Sequence, residues 1–163
     1  MTQPTQTPAS NATATITAAS LTVGDVVAQN EFTFERSTLV KYAGASGDFN
    51  PIHYRDDVAQ SVGLPGVLAH GMLTMGTAVQ PVVDWLGGDS GRVLDYQVRF
   101  TRPVPVDGTD GALVTVVAKV GAIDETPLTE APAGFARIDL TVSFNGETVL
   151  GKAQVRVRLS PAA

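Results

Sequence analysis

No cysteine occurs anywhere in the 163 residues. That absence removes disulfide scaffolds, thiol nucleophiles, iron–sulfur clusters and zinc knuckles. Histidine is nearly as scarce: His53 and His70 are the only two. Any imidazole chemistry must use one of them, and no metal site is expected. Charge is also short, at 17% of residues against a usual ~25%. The balance is acidic, with a net charge of -5 and a pI near 4.8. A nucleic-acid binder needs a basic patch, whereas these Lys and Arg residues are scattered from Arg36 to Arg158. No nucleic-acid partner is expected. Nor does the chain hold a run of about 18 apolar residues, so no membrane partner is expected either. Residues 1–20 carry no charged side chain and no glycine. They lack the basic start and continuous apolar core of a secretory leader. They are expected to form a disordered tail, with the cytoplasm as the default compartment.

What is present suits one globular domain. Hydrophobic residues make up 44% of the chain, and a fold of this size buries about 68–70% of the surface its unfolded chain exposes. Val26 to Phe34 roughly alternates and predicts a strand. Ser37 or Thr38 can cap a short helix towards Ala45, broken by Gly44 and Gly47. Asp56 or Asp57 can cap a second that stops at Gly63. Met72 to Leu86 is apolar on every side, which predicts a buried helix. Pro81 within it predicts a kink or an early end. Four strands are expected next, over 92–100, 113–120, 135–144 and 148–159. Asn145-Gly146 marks a hairpin between the last two. The fold class is therefore α+β, with an antiparallel sheet covering one central helix. The expected limits are a tail at 1–20, the domain at 21–159 and a C-terminal tail at 160–163.

Within six residues, Asp48, Asn50 and His53 bring together a carboxylate, an amide and an imidazole. Asn50 precedes Pro51 and is pushed out of the α region, so the three sit on a shaped loop rather than on a helix. A carboxylate and an imidazole held on one rigid loop can grip a water or hydroxyl between them and exchange protons with a carbon acid. The plainer alternative makes Asp48 a turn cap and His53 a satisfied core residue. Other motifs fail. Asp48-Phe49-Asn50 starts like a calcium loop but lacks its glycine. Gly44-Ala45-Ser46-Gly47 is one residue short of the G-x-S-x-G pattern, leaving a triad through Ser46 as a weak option.

The run Tyr42-Ala43-Gly44-Ala45-Ser46-Gly47-Asp48-Phe49-Asn50-Pro51-Ile52-His53, with Ala59 following, resembles the signature of MaoC-like, (R)-specific enoyl-CoA hydratases. It is most similar to the catalytic B-type subunit of the mycobacterial-type (3R)-hydroxyacyl-ACP dehydratase. Ala69-His70-Gly71-Met72 and Asp95-Tyr96-Gln97-Val98-Arg99-Phe100 with Pro103-Val104 extend the likeness over roughly 21–159. The resemblance implies a hot-dog fold, a long helix wrapped by an antiparallel sheet. It implies Asp48 and His53 as the catalytic pair, binding the water that adds to C3 of a trans-2-enoyl thioester and shuttling the C2 proton. It leaves open which of them is acid and which base. Asn50 would fix the loop and hydrogen-bond near the pair, and counts with Gly71 as substrate-binding. Gly71 would offer its backbone N–H, at a positive helix end, to the thioester carbonyl. His70 is expected to be structural.

No cofactor is implied, because the substrate arrives on the phosphopantetheine arm of coenzyme A or acyl carrier protein. Arg99, Arg102, Arg55 or Lys41 are candidates for positive charge near the entrance. Met72, Met75 and Trp85 are expected in the core rather than along an acyl tunnel. An open sheet edge needs a cover, and the resemblance places acyl sites between two units. A homodimer, or a heterodimer with a second hot-dog subunit, is therefore expected. Two alternatives belong to other classes: a subunit inactive on its own, and a hot-dog acyl thioesterase.

Overall fold

A computed structural model of the chain describes residues 15–162; expectations for residues 1–14 and 163 lie outside them. Strand β1 (Val26–Phe34) leads into helix α1 (Arg36–Ser46). A 3-10 turn at Pro51–His53 and helix α2 (Asp56–Ser61) precede the central helix α3 (Gly71–Trp85). Strands β2 (Val93–Phe100), β3 (Ala112–Asp124), β4 (Phe135–Phe144) and β5 (Glu147–Arg158) complete the fold. All five strands join one antiparallel sheet in the order β1-β3-β4-β5-β2. The expected α+β hot-dog architecture is the one observed.

The core follows from strand periodicity. Side chains of a strand alternate between faces, and β3 buries Ala112, Val114, Val116, Ala118 and Val120. β4 does the same with Ala136, Ile138, Leu140 and Val142. The sheet curls around α3, whose Thr74, Ala78, Pro81 and Val82 face inward. β4 and β5 meet at Asn145-Gly146, where both residues adopt positive φ (52° and 77°). Two consecutive left-handed residues make the turn whose twist matches a hairpin.

Four local expectations need correction. The helix α3 does not end at Pro81; it runs on to Trp85 with the proline ring buried, so packing against the sheet offsets the hydrogen bond that proline cannot donate. The helix is not buried all round, since Met72, Gly76, Gln80 and Asp84 lie exposed along one stripe. The first helix begins at Arg36 with Glu35 as its N-cap, and Gly44 lies within it. Residues 15–20 are not a loose tail. Ile16 is buried, and its carbonyl accepts the Ser160 N–H at 2.7 Å, tying both ends of the domain together. Composition around Ile16 hides this, because a single apolar residue in a Thr/Ala segment carries no periodicity. Among the described residues, no helix is long and apolar enough to cross a membrane.

Candidate active site

α1 ends at Gly47, which is left-handed (φ 76°) and returns its N–H to the Ala43 carbonyl at 2.9 Å. The next residues are shaped by side chains satisfying backbone groups. Ser46 Oγ donates to the Tyr42 carbonyl at 2.8 Å and accepts the Asp48 N–H at 3.2 Å. Asp48 Oδ1 accepts the Asn50 N–H at 3.2 Å, and Asn50 Oδ1 accepts the Ile52 N–H at 3.3 Å. Pro51 then opens the turn that carries His53 inward. Ser46 is thus committed to the backbone and assembles no triad. Asn50 braces the loop through its N–H and its side-chain oxygen, and its side chain stays exposed.

The turn buries His53 while leaving the Asp48 side chain about half open, 10% against 52% exposed. His53 Nδ1 lies 2.8 Å from the Leu68 carbonyl. A carbonyl only accepts, so Nδ1 carries the proton and the ring presents Nε2 to the site. Nε2 stands 4.0 Å from Asp48 Oδ2. That gap is too long for a direct hydrogen bond. It suits one oxygen that bonds to both at about 2.8 Å. One carboxylate oxygen is tied to the loop and the other faces the imidazole.

His70, the N-cap of α3, stacks on the His53 ring with centroids 3.8 Å apart and planes 22° from parallel. Its Nε2 lies 3.1 Å from the Asp48 backbone carbonyl. Burial pushes its pKa below the usual histidine value; the bond to Asp48 acts the other way and the nearby His53 adds to the lowering. The next residue, Gly71, is the first of α3, and the N–H groups of a first helical turn have no partner within the helix.

His53 and Gly71 line one cavity of about 350 Å³. Apart from Arg102, its wall is otherwise apolar or small, with Thr74, Phe100, Val104 and Leu150 among the lining. Strand alternation did not single these out as a wall, because they belong to three separate elements and the connection after β2. Of the four basic candidates, Arg102 alone reaches the lining, where it pairs with Glu147 at 3.1 Å. Arg55 pairs with Asp57 instead. Met72, Met75 and Trp85 do not line the cavity, and Met72 is 57% exposed rather than core.

The model of the MaoC like domain matches residues 4–133. The chain belongs to this family. The MaoC-like match stops short of β4 and β5, which the structure shows to be part of the same sheet. Among curated proteins, the chain is 40% identical over 74 residues to 3-hydroxyacyl-thioester dehydratase X of Mycobacterium tuberculosis, covering 45% of this chain and 25% of that protein. It is 33% identical over 88 residues to the (R)-specific enoyl-CoA hydratase of Rhodospirillum rubrum, covering 54% of this chain and 61% of the relative. The matched region thus spans a quarter to about three-fifths of these relatives' lengths. A solved MaoC-like dehydratase superimposes with a TM-score of 0.81 at 34% identity, over 90% of this chain and 43% of that one.

Asp48, His53 and His70 also bring three ligand-capable atoms within 4.8 Å of one another. Metal ligation asks nitrogen lone pairs to converge on one point about 2.0–2.1 Å away. The two rings are nearly parallel, so their in-plane lone pairs run side by side, and His70 Nε2 is committed to the Asp48 carbonyl. The arrangement fits proton transfer better than a metal centre.

Proposed function

We infer that the chain is a hydro-lyase that adds water reversibly across the double bond of a trans-2-enoyl thioester. In reverse it dehydrates the (3R)-hydroxyacyl thioester. The observation that carries this function is the pairing of Asp48 Oδ2 with His53 Nε2 at 4.0 Å, with His53 and the helix-end Gly71 both lining one mostly apolar cavity. The family membership and the names of the relatives agree with it.

In the hydration direction a water held by Asp48 and His53 loses a proton to the pair as its oxygen bonds to C3. The electron pair of the double bond moves towards the thioester, and the carbonyl oxygen gains charge. The Gly71 N–H, aligned with the α3 dipole, stabilises that oxygen. The pair then returns a proton to C2, and the thioester carbonyl re-forms. One water is consumed and the pair ends as it began. Proton transfer and charge stabilisation both come from the chain itself, so the step needs no cofactor. Asn50 acts by holding the loop. The unit at 21–159, with Ile16–Ser20 as a strap, would bind the acyl chain in the cavity and the phosphopantetheine of coenzyme A or acyl carrier protein at its mouth. The mouth would be completed by a second hot-dog unit, in a homodimer or a heterodimer.

The test is hydration of crotonyl-CoA, followed as loss of enoyl absorbance, with free-thiol release measured alongside to register any thioesterase. Asp48→Asn and His53→Ala should each lower turnover by about 10²–10⁴, with the fold retained by circular dichroism. Wild-type turnover in either variant would overturn the assignment of the pair.

A further inference from the structure

We propose that His70 is the positioning residue of the site: one buried imidazole that holds Asp48, His53 and the start of α3 in register. The proposal rests on the hydro-lyase function above but makes a separate structural claim.

Three contacts carry it. The His70 Nε2–H faces the Asp48 carbonyl at 3.1 Å, gripping the backbone of the residue whose carboxylate faces His53. Its ring lies flat on the His53 ring at 3.8 Å, fixing the plane in which Nε2 of His53 points. Its own carbonyl accepts both the Thr74 N–H at 3.1 Å and the Thr74 hydroxyl at 3.3 Å, anchoring it to the first turn of α3. Gly71 follows directly in the chain. The ring of Tyr42, 4.8 Å away and tilted by 58°, closes the side of His70. Proton-transfer groups and oxyanion donor therefore share one brace, although they come from a loop, a turn and a helix.

The chemistry of the residue argues against simple core filling. A carbonyl only accepts, so Nε2 is protonated and the neutral ring leaves Nδ1 as a bare acceptor. Nδ1 is buried with no hydrogen-bond partner. An unpaired buried acceptor is costly, and phenylalanine or leucine would fill the space without it. What the imidazole adds over those residues is the single N–H aimed at the Asp48 carbonyl.

The experiment compares three full-length variants. His70→Phe keeps a flat ring but loses the donor; His70→Gln keeps an N–H at similar reach but loses the ring; His70→Ala loses both. With crotonyl-CoA, His70→Phe and His70→Ala should lower kcat by about 10–100-fold, as misplacement of a reacting group does, with KM changed less than about twofold. His70→Gln should recover part of the loss. In crystal structures, the Asp48 Oδ2–His53 Nε2 separation should lengthen in His70→Phe and return towards 4.0 Å in His70→Gln. An unmoved pair in His70→Phe, or wild-type kcat in that variant, would overturn the proposal. If His70→Phe or His70→Ala unfolds, His70→Gln decides: the proposal requires its Asp48–His53 separation to stay near 4.0 Å and its kcat to lie within about tenfold of wild type, and a longer separation would overturn it. If the wild-type protein hydrates no enoyl thioester, the proposed function fails, while the crystal comparison still decides the role of His70.

Discussion

Gly71 has no side chain, and the space where one would begin is taken by Phe100. A Cβ there would stand 3.0 Å from Phe100 Cε1 and 3.2 Å from Cδ1. The obstruction is a ring that is about half exposed, so it can yield, but it yields within the cavity that it lines. Gly71→Ala should therefore leave stability nearly unchanged and lower kcat/KM for a short enoyl thioester by about 10–100-fold. Adding Phe100→Ala should restore part of that loss, and a double-mutant cycle of the four proteins measures the coupling. Strict additivity would show that the two residues act independently. The same scale explains why Asp48 and His53 differ in exposure. In the proposed pair, the loop leaves Asp48 half open to solvent, while the turn buries His53 against the Leu68 carbonyl.

Among the elements, β5 departs most from regular alternation. Between the pairs Leu140–Ala153 and Val142–Leu150, Thr141 alone of β4 faces Gly151 and Lys152 of β5, a β-bulge. A second shift follows at once, between Val142–Leu150 and Ser143–Thr148. Bulges re-aim side chains and cluster beside active sites. Here they let consecutive residues, Val149 and Leu150, both turn inward and line the cavity. The first bulge puts Lys152 at φ 48°, a left-handed conformation that costs most L-residues about 1–2 kcal/mol. Lys152→Gly should raise stability by up to about 1 kcal/mol, read as a higher urea midpoint with an unchanged slope. A lower midpoint would mean that the lysine side chain contributes more than its backbone costs. Asn145 is also left-handed (φ 52°). There the residue already tolerates the conformation, and no comparable gain is expected.

Viewed as a whole molecule, the sheet ends in β1 on one side and β2 on the other among the described residues, and the cavity is lined from the β2–β5 side. Phe49, Met72 and Phe100, beside Asp48, within α3 and at the end of β2, are 62%, 57% and 52% exposed. In the proposed two-unit assembly, these large open side chains belong to the face that the second unit covers. A low charge fraction has the same cause if part of the surface is never wet. The expected outcome is a dimer, with a solution mass by light scattering of twice the 17.0 kDa of one chain. Met72→Glu should shift the protein towards monomer and lower activity together. A fully active monomer would remove the second unit from the site.

The loop that carries the proposed pair was legible in the sequence, because the Asp48-to-His53 run encodes its own geometry. A left-handed glycine, two Asx-type bonds and a proline act within six residues of one another. The alternating strands and the Asn145-Gly146 hairpin were legible for the same reason: their signals are local and periodic. What no local signal carries is the meeting of distant segments. The Leu68 carbonyl that sets the His53 tautomer, the stacking of His70 on His53, the Phe100 wall over Gly71 and the seat of Ile16 beside Ser160 all join residues from separate elements. Even Pro81 follows this division: its ring predicts an interruption, and only burial against the sheet carries the helix past it. The sequence by itself determined which side chains can take and give a proton. Tertiary structure alone decided where they point, because direction in this fold is set by contacts across the sheet and around one helix end.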